Sequence, residues 1–307
     1  MRSGSQLWAD IVAKPGTSRA ILLVLVSSVL AVTANVQIRL LSSDMHPFEI
    51  AFFRSLTALL IFVPLVSRGH IVRLFRTERL GLQLIRGMFQ GVSMLMFFLA
   101  ISMIPLAEVS ALGFSSPLFA SLLAVIVLGE VIHGRRIVAL VVGFLGTLVI
   151  VQPGWAPFEI GAGYALASSF LAGVSFVLIK ILSRTDSSMT TIMFGTLVAA
   201  PVALVAAIPF WTTPTLDDVI PLIGIGLTTS LANLCRAQAL KETEMTVVAP
   251  FEFLKLPWTA VIGFVVFAEV PAIWTWIGGA SIFISSTYLA LRERQISRNL
   301  ANTGEGR

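Results

Sequence analysis

The sequence predicts an all-α membrane protein, ten transmembrane helices in two inverted five-helix repeats, on three observations. Ten apolar runs of about 20 residues can be drawn along the 307 residues, each long enough to cross a hydrocarbon core of ~30 Å as a helix. The cations are sorted between the gaps. Eighteen of the 21 Lys and Arg residues fall at the termini, in alternate gaps or within a few residues of the span ends that border those gaps, among them Lys14, Arg19, Arg68, Arg73, Arg76, Arg79, Arg86, Arg135, Arg136, Lys180, Arg184, Arg236, Lys241 and Arg292. The opposite side holds only Arg39, while Arg54 and Lys255 fall inside apolar runs. Cytoplasmic loops retain Lys and Arg, so both termini are expected in the cytoplasm. The third observation is a weak internal repeat, described below.

The expected spans are 20–38, 48–67, 83–103, 107–128, 136–152, 161–181, 188–208, 218–239, 245–268 and 272–291. They group as a terminal segment 1–19, a first repeat 20–152, a second repeat 160–291 and a tail 292–307. The first run is too long for a signal-peptide core and has no small-residue cleavage site after it, so it reads as a retained helix. The longest connection is the basic stretch from Ser67 to Gly81. With five spans per half, the second half enters the membrane upside down relative to the first. Residues 105–131, PLAEVSALGFSSPLFASLLAVIVLGEV, match residues 244–270, EMTVVAPFEFLKLPWTAVIGFVVFAEV. Each copy has a mid-helix proline (Pro117, Pro257), a glutamate closing the helix (Glu130, Glu269) and then a helix with small-residue steps (Gly143 to Gly146; Gly278 and Gly279). Odd-numbered inverted repeats are a mark of secondary transporters. The prolines are expected to bend their helices near mid-membrane, and the glycines to permit close helix packing.

Composition excludes a soluble domain: 56% of residues are hydrophobic and 12% charged, with a mean hydropathy of +0.92. The basic balance reads as topology and contact with anionic lipid, not as nucleic-acid binding. One cysteine, Cys235, precludes an intrachain disulfide, and His46, His70 and His133 are too scattered for a metal cluster. No P-loop, nucleophile elbow or HExxH occurs, so no enzyme, cofactor or metal site is expected. Arginine outnumbers lysine 17 to 4, a bias typical of GC-rich bacterial genomes.

A charge within a span costs ~2.5–3.5 kcal/mol on insertion scales and invites a functional reading. Arg54, two turns into the second span, either attracts an anionic or carbonyl-rich solute or serves an architectural pair. Glu49 precedes it by five residues, about 140° around a helix, and shares a face with Phe52 and Phe53. Glu108 opens the fourth span at the same level. Glu108 is a partner for Arg54 or has a substrate or proton role, and Glu49, Phe53 and Glu108 are candidates for the substrate pathway; the alternative for both acids is a carboxylate placed to favour the helix start. Glu252 and Lys255, at i and i+3, are expected on one face, neutralising each other while lining a cavity. Phe251, Lys255 and Trp258 define a stripe suited to a flat aromatic ligand, or else ordinary core aromatics. Gln90, with Asn35, Gln37, Ser115, Ser116, Asn233 and Gln238, is a milder polar position, most simply an interhelical hydrogen-bonding group.

Two five-helix halves, the Phe52-to-Arg54 F-x-R and the Gly-Glu and Ala-Glu helix ends together resemble the EamA-type branch of the drug/metabolite transporter superfamily. The segments HPFEIAFFRSL (46–56) and APFEFLKL (249–256) are similar to those of bacterial riboflavin transporters and S-adenosylmethionine uptake transporters. The resemblance implies a secondary carrier in a bacterial inner membrane, with riboflavin uptake first and S-adenosylmethionine second. The superfamily also implies an alternative, an exporter of amino acids or other metabolites. A membrane protein that transports nothing is the reading from another class. The partners expected are a small-molecule substrate and the lipid bilayer, with a homodimer left open.

Overall fold

The computed structural model describes residues 17–66, 77–128, 134–152, 159–242 and 251–303. Glu130, His70, His133 and the cations at 68, 73 and 76 lie outside them. The described residues form helices and short connections, with no strand among them. In chain order the helices are α1 (Thr17–Leu41), α2 (Pro47–Val66), α3 (Leu80–Met103), α4 (Leu106–Gly113), α5 (Ser116–Leu128) and α6 (Gly134–Val151). There follow α7 (Ile160–Leu182), α8 (Ser188–Ala207), α9 (Leu216–Glu242), α10 (Lys255–Phe267) and α11 (Ile273–Thr303). A single 3₁₀ turn, Ile208–Phe210, extends α8.

Six helical stretches among the described residues are long and apolar enough to cross a bilayer: Ser18–Leu41, Leu80–Met103, Leu106–Val127, Ile160–Leu182, Thr190–Phe210 and Leu216–Ala239. Ile137–Val151 and Lys255–Phe267 are apolar but shorter. Helices also cover 48–66 and 273–291 of the expected spans 48–67 and 272–291, the latter helix running on to Thr303 instead of ending at 291. Leu22, Ile126, Val265 and Ile284 stand exposed on the outside, as expected of side chains facing lipid, where water-driven burial gives no stability.

Two helices differ from the continuous spans expected. The fourth is split at Phe114–Ser115, between α4 and α5. The ninth turns at Phe253–Leu254, between the helical residues Phe251–Glu252 and α10. The prolines therefore do not kink an unbroken helix. Pro117 and Pro257 sit in the first turn of α5 and α10, where the missing N–H has no helical acceptor in any case. Carbonyls freed by the first break are taken up by hydroxyls, as a bilayer interior requires. Ser115 Oγ donates to Leu112 O at 2.6 Å and Ser116 Oγ to Gly113 O at 2.9 Å. From other helices, Ser169 Oγ donates to Leu112 O at 3.1 Å and Ser286 Oγ to Phe114 O at 3.0 Å.

Packing follows a pairing that survives exchange of the two halves. The first helix of each half packs on the third of the other, α1 on α9 and α7 on α3. The second helices meet as α2 and α8, and the fifth as α6 and α11. That last crossing depends on glycine: a Cβ on Gly146 would stand 2.8 Å from the carbonyl of Gly278. Backbones this close leave no room for any side chain. A buried apolar core including Ile50, Phe98, Ile101, Leu112, Leu118, Ile225, Leu256 and Ile282 joins both halves.

Candidate functional site

Between the halves, level with both helix breaks, lies a cavity of about 420 Å³, within the ~300–1,000 Å³ range of small-molecule sites. Its wall comes from α1 (Ser27, Ser28, Asn35), α2 (Arg54), α3 (Gln90, Phe97, Phe98) and the first break (Gly113, Phe114, Ser116, Pro117). It is completed by α7 (Ser168, Ser169, Phe176), α9 (Asn233, Arg236) and the second break (Glu252, Lys255). Many hydroxyls are already committed. Ser27 Oγ donates to Ala232 O at 2.8 Å, and Ser93 and Ser168 each donate to the other's backbone carbonyl at 2.8 Å. These bonds tie α1 to α9 and α3 to α7, fixing the wall that the remaining polar groups share.

Of the residues singled out from sequence, Arg54, Gln90, Glu252 and Lys255 line the cavity, as do Asn35, Ser116, Pro117 and Asn233. The expected Glu252–Lys255 pair is corrected. The turn at Phe253–Leu254 breaks the helical register between them, and Glu252 instead pairs with Arg236 of α9, at 2.8 Å to Nε and 3.1 Å to Nη2. Lys255 makes no ion pair or side-chain hydrogen bond among the described residues. The Arg54–Glu108 pair is also absent; the Arg54 guanidinium lies over the Phe98 ring, 5.6 Å from its centroid. Gln90 Oε1 accepts from Ser175 Oγ at a marginal 3.5 Å.

Glu49, Phe53, Glu108, Phe251 and Trp258 lie outside this lining. Fully buried Glu49 accepts from the backbone N–H and the Oγ1 of Thr212, the latter at 2.9 Å, pinning the start of α2 to the segment after α8. Phe53 packs against Phe52 and Trp211. Phe251 covers a small cluster of Ala20, Val24 and Ala239. Trp258 is 42% exposed, so the aromatic stripe does not form on the cavity wall, again because the break resets the register.

Sequence reasoning missed the polar cluster at the end of the bundle where α1 finishes. Arg39 Nη2 pairs with Glu269 Oε1 at 2.8 Å. Its Nη1 donates to Ile101 O at 2.9 Å and to Ile104 O, at the end of α3. Glu269 Oε2 accepts from the N–H of Leu106, the first residue of α4, at 3.0 Å. One ion pair thus joins α1, the α3–α4 corner and the end of α10, so it crosses between the halves. The signal was present, since Arg39 is the only cation on its side of the sequence and Glu269 belongs to the repeat. At the other end, Arg19 Nε lies 3.5 Å from Glu242 Oε1, joining α1 to α9.

A helical bundle with stretches long and apolar enough for a bilayer, holding a cavity at two paired helix breaks, has the architecture of a small-molecule transporter. The chain belongs to the EamA-like transporter family, which matches it twice, over residues 18–152 and 159–291. Among its relatives, the S-adenosylmethionine uptake transporter of Rickettsia bellii is 27% identical, over 88% of this chain and 93% of that protein. The riboflavin transporter of Vibrio cholerae is 29% identical, over 82% and 86%. The pseudopaline exporter of Pseudomonas aeruginosa is 29% identical, over 88% and 95%. A solved crystal structure shares the fold at TM-score 0.56 and 18% identity, covering 91% of this chain and 99% of the other.

Proposed function

We propose that the protein is a ten-span secondary carrier of a bacterial inner membrane, with both termini cytoplasmic, that takes up riboflavin. The observation that carries this reading is the cavity itself. It sits at the junction of two halves matched by the same family, and it combines aromatic rings (Phe97, Phe98, Phe114, Phe176) with two cationic donors, Arg54 and Lys255, that form no ion pair among the described residues. A flavin offers a flat ring to stack and ring carbonyls to accept from those donors. The same two cations weigh against S-adenosylmethionine, which is a net cation and would meet like charge in the cavity. The ten-span reading is supported by the helix pairing that survives exchange of halves. The Arg39–Glu269 cluster then closes the periplasmic end.

The test is growth of a riboflavin auxotroph at limiting riboflavin, with labelled uptake as confirmation. Rescue with saturable uptake is expected. No saturable uptake above an empty-vector control, with the protein present in the membrane, would remove the flavin assignment.

A further inference from the structure

We infer that the cavity contains an anion site whose two arms come from opposite halves, Arg54 and Lys255, and that it takes a soluble organic anion bearing a carboxylate or phosphate. The inference rests on the carrier reading but not on riboflavin, which is uncharged at neutral pH.

Among the described residues four charged side chains line the wall: Arg54, Arg236, Glu252 and Lys255. The single carboxylate is held by Arg236 through both of its oxygens, so two positive charges remain. The neighbouring acids are committed elsewhere, Glu49 to Thr212, Glu269 to Arg39 and Glu242 to Arg19. Glu108 pairs with neither cation and stands outside the wall. Stacking on Phe98 stabilises the Arg54 guanidinium without cancelling its charge.

Arg54 and Lys255 face one cavity without an ion pair among the described residues, and such charges are costly to hold in a span. An anion between them relieves that cost for both. The chemistry of the arms is complementary: guanidinium grips a carboxylate or phosphate through two parallel N–H bonds, and ammonium adds a point charge. Ser28, Asn35 and Asn233, which also line the cavity and make no side-chain hydrogen bond among the described residues, offer neutral donors for the rest of the solute. Because Arg54 belongs to the first half and Lys255 to the second, an anion bridging them also links the two halves that an alternating-access cycle would move.

The experiment uses the full chain, purified in detergent, with binding read by flavin fluorescence and thermal shift. The probes are riboflavin, riboflavin 5′-phosphate, citrate, benzoate and S-adenosylmethionine. At low ionic strength the phosphate ester is expected to bind about tenfold or more tightly than riboflavin, with the difference shrinking as salt rises. The difference should disappear in Arg54→Gln and in Lys255→Gln and persist in Lys255→Arg. If no flavin binds but citrate or benzoate raises the melting temperature of the wild type and not of the Gln variants, the anion site stands and the flavin assignment falls. If riboflavin binds and its phosphate gains nothing, or if anions act equally on wild type and both Gln variants, the anion site is overturned and the flavin assignment survives. Should a Gln variant fail to fold, the salt dependence and the citrate competition in the wild type decide alone: a salt-independent preference, or none, overturns the site.

Discussion

Glu252 and Lys255 stand three residues apart, and a helical wheel makes them partners. The turn between them sends Glu252 to Arg236 and leaves Lys255 facing the cavity. The charges themselves were legible, because an ionisable residue in an apolar run stands out at once. Their partners were not, because the wheel assumes an unbroken helix, and neither Phe253 nor Leu254 is a residue type that announces a turn. Removing Arg236 strands Glu252, so Arg236→Ala is expected to lower membrane abundance several-fold, and Arg236→Ala with Glu252→Ala to restore much of it. Detergent-extracted, fluorescence-detected size exclusion measures both. Trp258→Ala, at an exposed position off the cavity wall, should leave uptake within about twofold of wild type, as surface substitutions generally do. Asp186, in the α7–α8 connection, accepts from Thr77 Oγ1, Gln83 Nε2 and the N–H of Glu78. Partial burial pushes its carboxyl upward, but these hydrogen bonds and one from Thr185 outweigh it and hold the pKa below the usual value. A depressed carboxylate stabilises the fold above its unfolded pKa, and that contribution is lost as pH falls through the lower, folded value. Asp186→Asn should therefore melt about 1–2 °C below wild type at pH 7, with the gap closing in strong acid.

Among the elements, the paired breaks and the α6–α11 crossing carry the most structure for the fewest residues. The repeat was legible through Pro117, Pro257 and the small-residue steps. The breaks were not, since proline in a span reads equally as a kink or as the first turn of a new helix. What distinguishes the cases is where the freed carbonyls go. Ser169 and Ser286 answer that from helices distant in sequence, which no local pattern contains. The glycine reading holds at the crossing: Gly146 faces the carbonyl of Gly278. Gly146→Leu has no rotamer that avoids the opposing backbone, so it should cost several kcal/mol or more of stability and abolish folded protein. Gly81→Ala, where nothing lies within 4 Å of the added carbon, should leave the yield unchanged. The same purification and melting assay reads both. The ion pair between Arg39 and Glu269 holds three elements together, so Glu269→Gln should reduce abundance by loosening the α3–α4 corner as well as the pair itself.

At the scale of the whole molecule, charge sorting and run length were enough to anticipate a helical membrane bundle. They do not show how the halves interlock, because the pairing of first with third helices depends on contacts some 200 residues apart, such as Ser27 with Ala232. That interlock places the cavity between the halves, with the Arg39–Glu269 cluster beyond it at one end and the Arg19–Glu242 pair at the other. The central claim is that this cavity is the solute's path and opens to each side in turn. The most direct measurement is side-specific labelling of Asn35→Cys in a Cys235→Ser background, which removes the one native thiol. A membrane-impermeant maleimide is applied to right-side-out and to inside-out vesicles, with and without excess solute. The account predicts labelling from both faces, slowed from both when the cavity is occupied. Labelling from one face only, at a rate that transported solute leaves unchanged, would contradict it.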